Sequence, residues 1–248
     1  MNKDKLVIIP TFNEKENMED MVRVVMGLDG NFELLVIDDN SPDGTAEIVK
    51  GLKKEFPERL HLIQREGKLG LGTAYIEGFR YGLVSGYQYI FEMDADFSHD
   101  PKDLIRLWKA CEEEGYDMAI GSRYIKGVNV VNWPMGRVLM SFFASKYVQF
   151  ITGMPIKDAT AGFKCYHRRV LQAINLNKIR FIGYAFQIEM KFTAWKLGFK
   201  IIEIPIIFTD RTKGSSKMST NIFREAVFGV IYMKFKSLFV RYRPNQSE

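Results

Sequence analysis

The chain has 248 residues, of which 46% are hydrophobic and 26% charged, a mix that excludes disordered, collagen-like and fibrous classes and fits one large domain. Two cysteines, Cys111 and Cys165, exclude a disulfide framework and a cysteine-rich zinc site. The net charge of +5 conceals an asymmetry: residues 1–120 carry 14 Lys and Arg against 24 Asp and Glu, and residues 121–248 carry 21 against 6. An acidic front half suits cation handling, and a basic back half suits phosphate, nucleic acid or an anionic membrane surface, with an uneven solvated surface as the alternative.

Residues Met1 to Lys5 lead into an apolar run without the hydrophobic region of a signal peptide, and no stretch of eighteen apolar residues follows, so the expectation is a cytoplasmic chain that does not cross a bilayer. Leu6 to Ile9 reads as a first strand. Glu14 to Leu28 follows as a helix, with Met18, Met21, Val22 and Val25 at helical spacing. Phe32 to Ile37, Leu60 to Gln64, Tyr89 to Met93 and Met118 to Ile120 read as further strands. Thr45 to Phe56, Gly72 to Val84 and Pro101 to Glu113 read as the helices between them, the last with proline in its first turn. Continuous apolar strands alternating with amphipathic helices predict an α/β fold, a mostly parallel sheet with helices on both faces. The back half is less regular. Trp133 to Met154 is aromatic-rich and amphipathic, Tyr184 to Leu197 reads as a helix, Lys200 to Phe208 as a strand, and Asn221 to Tyr242 as a long final helix. With no repeat or linker, residues 1–248 are expected to form one domain, with an acidic half over 1–120 and a basic half over 121–248.

Ligands of such sheets bind beyond the carboxyl ends of the strands. Pro10-Thr11-Phe12-Asn13-Glu14 follows the first strand, Asp38-Asp39-Asn40-Ser41-Pro42-Asp43-Gly44-Thr45 the second, and Asp94-Ala95-Asp96-Phe97-Ser98-His99 the fourth. Two carboxylates one residue apart can face a hard divalent cation that also touches diphosphate oxygens. Ser41, Asp43 and Asp100 can equally be helix caps, which accounts for one cluster better than for three. Gly70-Leu71-Gly72 lacks the spacing of a dinucleotide fingerprint and follows the third strand, so it carries no cofactor reading. Arg211-Thr212-Lys213-Gly214-Ser215-Ser216-Lys217 sets three cations and three hydroxyls in a short stretch able to fold over a diphosphate, and a solvated turn is the alternative. His61 and His167 read as core or surface residues, and His99 as a helix-start residue or a ligand.

These motifs, with Gly67-Lys68-Leu69-Gly70-Leu71-Gly72-Thr73-Ala74, Gly121-Ser122-Arg123-Tyr124, Trp133-Pro134, Asp158-Ala159-Thr160-Ala161-Gly162-Phe163 and Phe186-Gln187-Ile188-Glu189, run in order over nearly the whole chain. The ordered set resembles the inverting GT-A glycosyltransferases of family 2 and, more closely, the polyprenol (dolichol) phosphate mannose synthases. The resemblance implies a Rossmann-like GT-A domain with amphipathic C-terminal helices, transferring mannose from GDP-mannose to a polyprenyl or dolichyl-type phosphate with inversion, with Mg2+ or Mn2+. It implies a nucleoside pocket of Pro10, Phe12, Glu14, Ile37 and Asp39. Asp94, Ala95 and Asp96 would touch ribose and diphosphate, with Asp96 the principal metal ligand and Asp94 and Ser98 beside it. Arg211 and Lys217 would hold donor phosphates, and Arg123, Arg137 and Ser141 the acceptor phosphate. Tyrosine is common in the family where Phe12 stands, so a hydroxyl contact is lost while stacking on a base survives. The acceptor phosphate, with a second pKa of about 6, is already anionic near neutrality and needs little help from a base, so Glu189 reads as optional.

The aromatic segment from Trp133 and the final helix carry apolar faces edged by Arg137, Lys146, Arg224, Lys234, Lys236, Arg241 and Arg243, the pattern of helices that lie in a headgroup region, or else of core-packing helices. Related synthases often add transmembrane helices. This chain ends without them, so the expectation is peripheral association at the cytoplasmic face, directly or on a separate membrane-anchoring subunit, with no nucleic-acid partner. A polyprenyl phosphate glucosyltransferase using a UDP-sugar is the alternative within enzymes, and a non-catalytic basic module that binds membrane or nucleic acid the alternative outside them.

Overall fold

The computed structural model describes residues 4–211 and 220–245. In chain order the elements are β1 (Lys5–Thr11), α1 (Lys15–Met26), β2 (Glu33–Asp38), α2 (Thr45–Leu52), β3 (Leu60–Gln64), α3 (Leu71–Val84), β4 (Tyr89–Glu92), α4 (Asp103–Glu112), β5 (Met118–Ser122), β6 (Val130–Val131), α5 (Met135–Thr152), β7 (Lys164–His167), α6 (Arg168–Ala173), α7 (Tyr184–Lys196), β8 (Ile201–Pro205), β9 (Phe208–Thr209) and α8 (Thr220–Phe239). Among the described residues the main sheet runs β3-β2-β1-β4-β7-β5-β8, parallel except at β7, which pairs antiparallel with both β4 and β5. This is the expected mostly parallel sheet with one reversed strand inside it.

Strand β1 explains the layering. Leu6 and Ile8 face one side, Val7 and Ile9 the other, and all four are fully buried. Helices α1, α2 and α4 cover the second side, and α3, α6 and α7 the first, joined there by Val148 of α5 and by Val230 and Met233 of α8. The stripe Met18, Met21, Val22 and Val25 is fully buried, each side chain contributing about 1.5–3 kcal/mol of transfer free energy. Helix α3 lies unusually close to the sheet because Gly78 and Gly82 face it. A Cβ at either would fall within 2.7–2.8 Å of Ile8 or Ile90 side-chain atoms, so a larger residue would have to push the helix or these side chains aside.

The back half departs from expectation in two places. Lys200 to Phe208 is not one strand. Pro205 closes β8, Ile206 turns inward and Ile207 outward, and β9 then pairs with β6 in a separate two-stranded ribbon. Strand β7 and the short helix α6 were not anticipated, and β7 lies inside the sheet between β4 and β5.

Candidate active site

Because β2, β1 and β4 are parallel neighbours, the residues after them leave the sheet side by side on one edge. Each exit turns through a left-handed residue: Asn13 (φ 56°), Asn40 (φ 57°) and Phe97 (φ 57°). Asparagine tolerates this region, whereas for phenylalanine it costs about 1–2 kcal/mol. Two bonds hold the Phe97 turn. Ser98 N–H donates to Asp96 Oδ1 at 3.0 Å, and Thr209 N–H donates to the Ser98 carbonyl at 3.1 Å.

The exits of β1 and β2 are clamped together. Asp38 is fully buried and accepts from Thr11 Oγ1 (3.0 Å), Ser41 Oγ (2.5 Å) and Ser41 N–H (2.9 Å). Asp43 accepts from Thr45 N–H and from Lys15 N–H, both at 3.0 Å, tying the starts of α1 and α2. None of Ser41, Asp43 and Asp100 is an N-cap, because Glu14, Gly44 and Lys102 occupy the cap positions of α1, α2 and α4 without side-chain cap bonds. Asp38, Ser41 and Asp43 instead tie the two exits together, and Asp100 accepts from Lys102 N–H. Asp39 is different. Arg65, at the end of β3, grips it through Nε (2.6 Å) and a terminal nitrogen (2.5 Å), and also donates to Thr73 Oγ1 (2.7 Å) and the Gly70 carbonyl (3.3 Å). Burial pushes the Asp39 carboxyl up and the Arg65 guanidinium works against that.

Phe12 and Pro10 are half-buried, and Lys68 Nζ lies 5.1 Å above the Phe12 ring. Glu14 accepts from Asn17 Nδ2 at 3.2 Å. Ile37, expected to line the nucleoside pocket, instead points into the core under α3 and is fully buried, as the alternation of β2 requires. Ala95 is likewise a core side chain, so only its backbone can face a ligand.

Beyond β4, Asp96 is buried and paired with Arg211 at 2.9 Å. The Ser98 hydroxyl is also buried. Desolvation in the crowded turn, then the neighbouring Asp96, push Asp94 up to about 7, while Arg211 pulls the other way. Its side chain keeps 41% of its surface open, so water screening trims that shift. Burial pushes His99 down to about 4, which keeps it neutral, stacked on Phe163 at 4.9 Å. Its Nδ1 lies 3.8 Å from Asp94 Oδ2, too far for a hydrogen bond.

The residues expected at an acceptor phosphate converge around two aromatic rings. The Arg123 and Arg137 guanidinia lie 5.6 Å and 4.1 Å from the Trp133 ring, and Arg123 also lies 5.2 Å from the Tyr124 ring, whose hydroxyl donates to Ser141 Oγ at 2.8 Å. Arg123 is anchored by a buried fork on Asp158, Nε to Oδ2 at 2.7 Å and a terminal nitrogen to Oδ1 at 2.6 Å, with Thr160 Oγ1 at 2.9 Å. Much of its donor capacity thus holds the β5 exit in place. Arg137 pairs with Asp210 at 2.8 Å, next to Arg211 in the chain.

Glu189 is buried on α7 and accepts from the backbone N–H groups of Arg180 (2.9 Å) and Phe181 (3.2 Å). Through these two bonds it staples the loop at Arg180 and Phe181. Lys217 lies outside the described residues.

A family model described as glycosyl transferase family 2 matches residues 6–174. The chain belongs to glycosyl transferase family 2. A polyprenol monophosphomannose synthase from Mycolicibacterium smegmatis is 46% identical over 225 residues, which is 91% of this chain and 84% of the relative. An undecaprenyl-phosphate mannosyltransferase from Micrococcus luteus is 43% identical over 91% of each chain. A solved mannosyltransferase from Pyrobaculum calidifontis, in complex with GDP-Man and Mn2+, has the same fold, with a TM-score of 0.58 and 15% identity over 94% of this chain and 70% of that one. This family 2 glycosyltransferase thus has the expected GT-A architecture, and among its described residues no helix is long and apolar enough to cross a membrane.

Proposed function

We propose that the chain transfers mannose from GDP-mannose to a polyprenyl phosphate with inversion. The observation that carries this reading is the step from Asp210 to Arg211. Asp210 holds Arg137 of the arginine pair on Trp133, and Arg211 holds Asp96 of the β4 exit, so a two-cation cluster fit for a phosphate monoester adjoins the carboxylate cluster fit for a sugar nucleotide. The names of the two relatives support the choice of mannose and of a polyprenyl acceptor.

The donor set also fits a divalent ion. Asp94 and Asp96 offer hard oxygen ligands in a place where burial, and then the charge of Asp96, raise Asp94, and diphosphate oxygens and water would complete the shell. Mg2+ or Mn2+ held there would neutralise the charge that develops on the departing diphosphate. The chain's own residues do the rest. Asp39, fixed by Arg65, addresses the nucleoside, and the Phe12 ring offers a face to the base. Arg211 turns from Asp96 towards the diphosphate. Arg123, Arg137 and Ser141 orient the acceptor phosphate, which is ionised near neutrality and attacks without a general base. Glu189→Gln should accordingly affect the loop at Arg180 more than the chemistry.

The acceptor's lipid tail calls for a membrane surface, and exposed apolar side chains on α5 and α8 support docking there. Met135, Phe143 and Phe150 on α5 and Phe235, Leu238 and Phe239 on α8 are 61–87% exposed, with Lys146, Arg241 and Arg243 exposed nearby. Apolar side chains edged by cations suit an anionic bilayer.

Two measurements test these statements. GDP-mannose, UDP-glucose and other sugar nucleotides are offered with a divalent ion and a polyprenyl phosphate in neutral or anionic vesicles. Lipid-linked mannose from GDP-mannose, formed faster on anionic vesicles at low salt, is expected. Product from UDP-glucose alone would shift the reading to a glucosyltransferase, and equal rates on both vesicles would remove the electrostatic part of docking. Separately, Arg65→Met removes the clamp on Asp39 while keeping its aliphatic volume. GDP affinity by calorimetry should fall about tenfold, on the order of 1.4 kcal/mol. Unchanged affinity would take Asp39 out of the nucleoside pocket.

A further inference from the structure

Under the β4 exit lies a buried polar group that the chemistry above does not use. Glu92, two residues before Asp94, is fully buried. Tyr166 Oη donates to its Oε1 at 2.7 Å, Gln187 Nε2 donates to its Oε2 at 2.7 Å, and Lys164 Nζ pairs with it at 3.1 Å. Lys164 also donates to Gln187 Oε1, which fixes the amide of Gln187 in one orientation with Nε2 towards Glu92. A primary amide has two N–H donors. Glu92 takes one, and among the described residues no acceptor takes the second, although Gln187 is only 2% exposed.

Gly162 sits next to this amide. A Cβ built there would meet Asp94 Oδ2 at 3.8 Å and Gln187 Nε2 at 3.8 Å, and nothing closer. The residue is half-buried, between the buried Ala161 and Phe163. Its backbone is not left-handed, so conformation does not demand glycine. Packing does not demand it either, in contrast to Gly72 or Gly121, where a Cβ would fall within 2.8–2.9 Å of neighbouring atoms. The bare Cα leaves a small open shelf with a carboxylate on one side and an amide donor on the other. Sugar hydroxyls both donate and accept, so a hexose ring laid on that shelf satisfies the carboxylate with one hydroxyl and the amide with another.

We propose that Gly162, flanked by Asp94 and Gln187, is the shelf on which the transferred hexose of the donor rests, and that Glu92 and Lys164 are positioning residues that aim the Gln187 amide at it. The inference rests on the sugar-nucleotide reading given above and adds the sugar's own subsite to it. Gly162→Ala fits the fold without strain and puts a methyl group where the ring would lie.

The test compares Gly162→Ala with the wild type in thermal midpoint, in affinity for GDP and for GDP-mannose by calorimetry, and in transfer to polyprenyl phosphate. An unchanged midpoint, GDP affinity within twofold, and a tenfold or greater loss in both GDP-mannose affinity and kcat/KM are expected. Wild-type values for GDP-mannose in the variant overturn the shelf. An equal loss for GDP and GDP-mannose overturns it as well, because a sugar contact cannot weaken the bare nucleotide. A wild type that makes no lipid-linked mannose removes the proposed function and the shelf together, whereas an active wild type matched by the variant removes the shelf alone.

Discussion

Asp96→Asn is expected to lower transfer by about a thousandfold or more, roughly 4 kcal/mol of lost transition-state stabilisation. The substitution keeps an oxygen to accept the Ser98 N–H bond that holds the left-handed turn at Phe97, so the backbone of the exit survives. What disappears is the negative charge that faces Arg211 and that would bind the cation. Asp96→Ala removes the acceptor as well and adds about 1–3 kcal/mol of destabilisation from the orphaned N–H group. The pair of variants separates charge from fold: both should be inactive with excess Mg2+ or Mn2+, and only the alanine variant should melt earlier. An asparagine variant with more than a tenth of wild-type turnover would remove Asp96 from the donor site.

Asp158→Ala should be the most damaging single change away from the β4 exit. Asp158 is fully buried and receives three bonds from Arg123, two from its guanidinium and one from its backbone N–H, at 2.6–2.9 Å. Burial alone would raise its carboxyl, but Arg123 brings it below the usual carboxylate range. Removing one partner of a buried pair strands the other charge, at about 3–5 kcal/mol. In a chain of this length the midpoint should fall by roughly 6–20 °C. The acceptor KM should rise in parallel, since Arg123 loses its anchor beside Trp133. Thermal unfolding and acceptor kinetics check both effects, and a midpoint within two degrees of wild type would show that the fork contributes little. The lowered carboxyl also fixes the sign of the pH effect. The pair stabilises fully above the ordinary carboxylate pKa of about 4, and that contribution is lost as pH falls through the lower folded value.

The front half of the molecule was readable because its strands are continuous apolar runs and its helices carry regular stripes. The carboxylates after β4 were readable because strand ends are where such sheets bind ligands. Strand β7 was not. Its four residues, Lys164 to His167, include a lysine that is buried only because Glu92 faces it across the sheet, a contact that no local pattern contains. The same limit hid Arg65 and the pairing role of Asp158, whose partners Asp39 and Arg123 lie 26 and 35 residues away in sequence. The side-chain direction of Ile37 escaped the sequence for a different reason. This residue adjoins the polar exit in sequence, but a strand buried on both faces sends every second side chain under a helix, and Ile37 is one of those.

Strand β7 also dictates an order of assembly. β4 and β5 never touch in the sheet, because a reversed strand made some forty residues after β5 wedges between them. While the chain emerges from the ribosome, β3-β2-β1-β4 can zip up on its own, but it then offers β4 as a bare rim, and β5 has nothing to join until His167 has been synthesised. For the whole interval that rim is an uncovered strand edge, the kind of surface through which a polypeptide can pair with a neighbour.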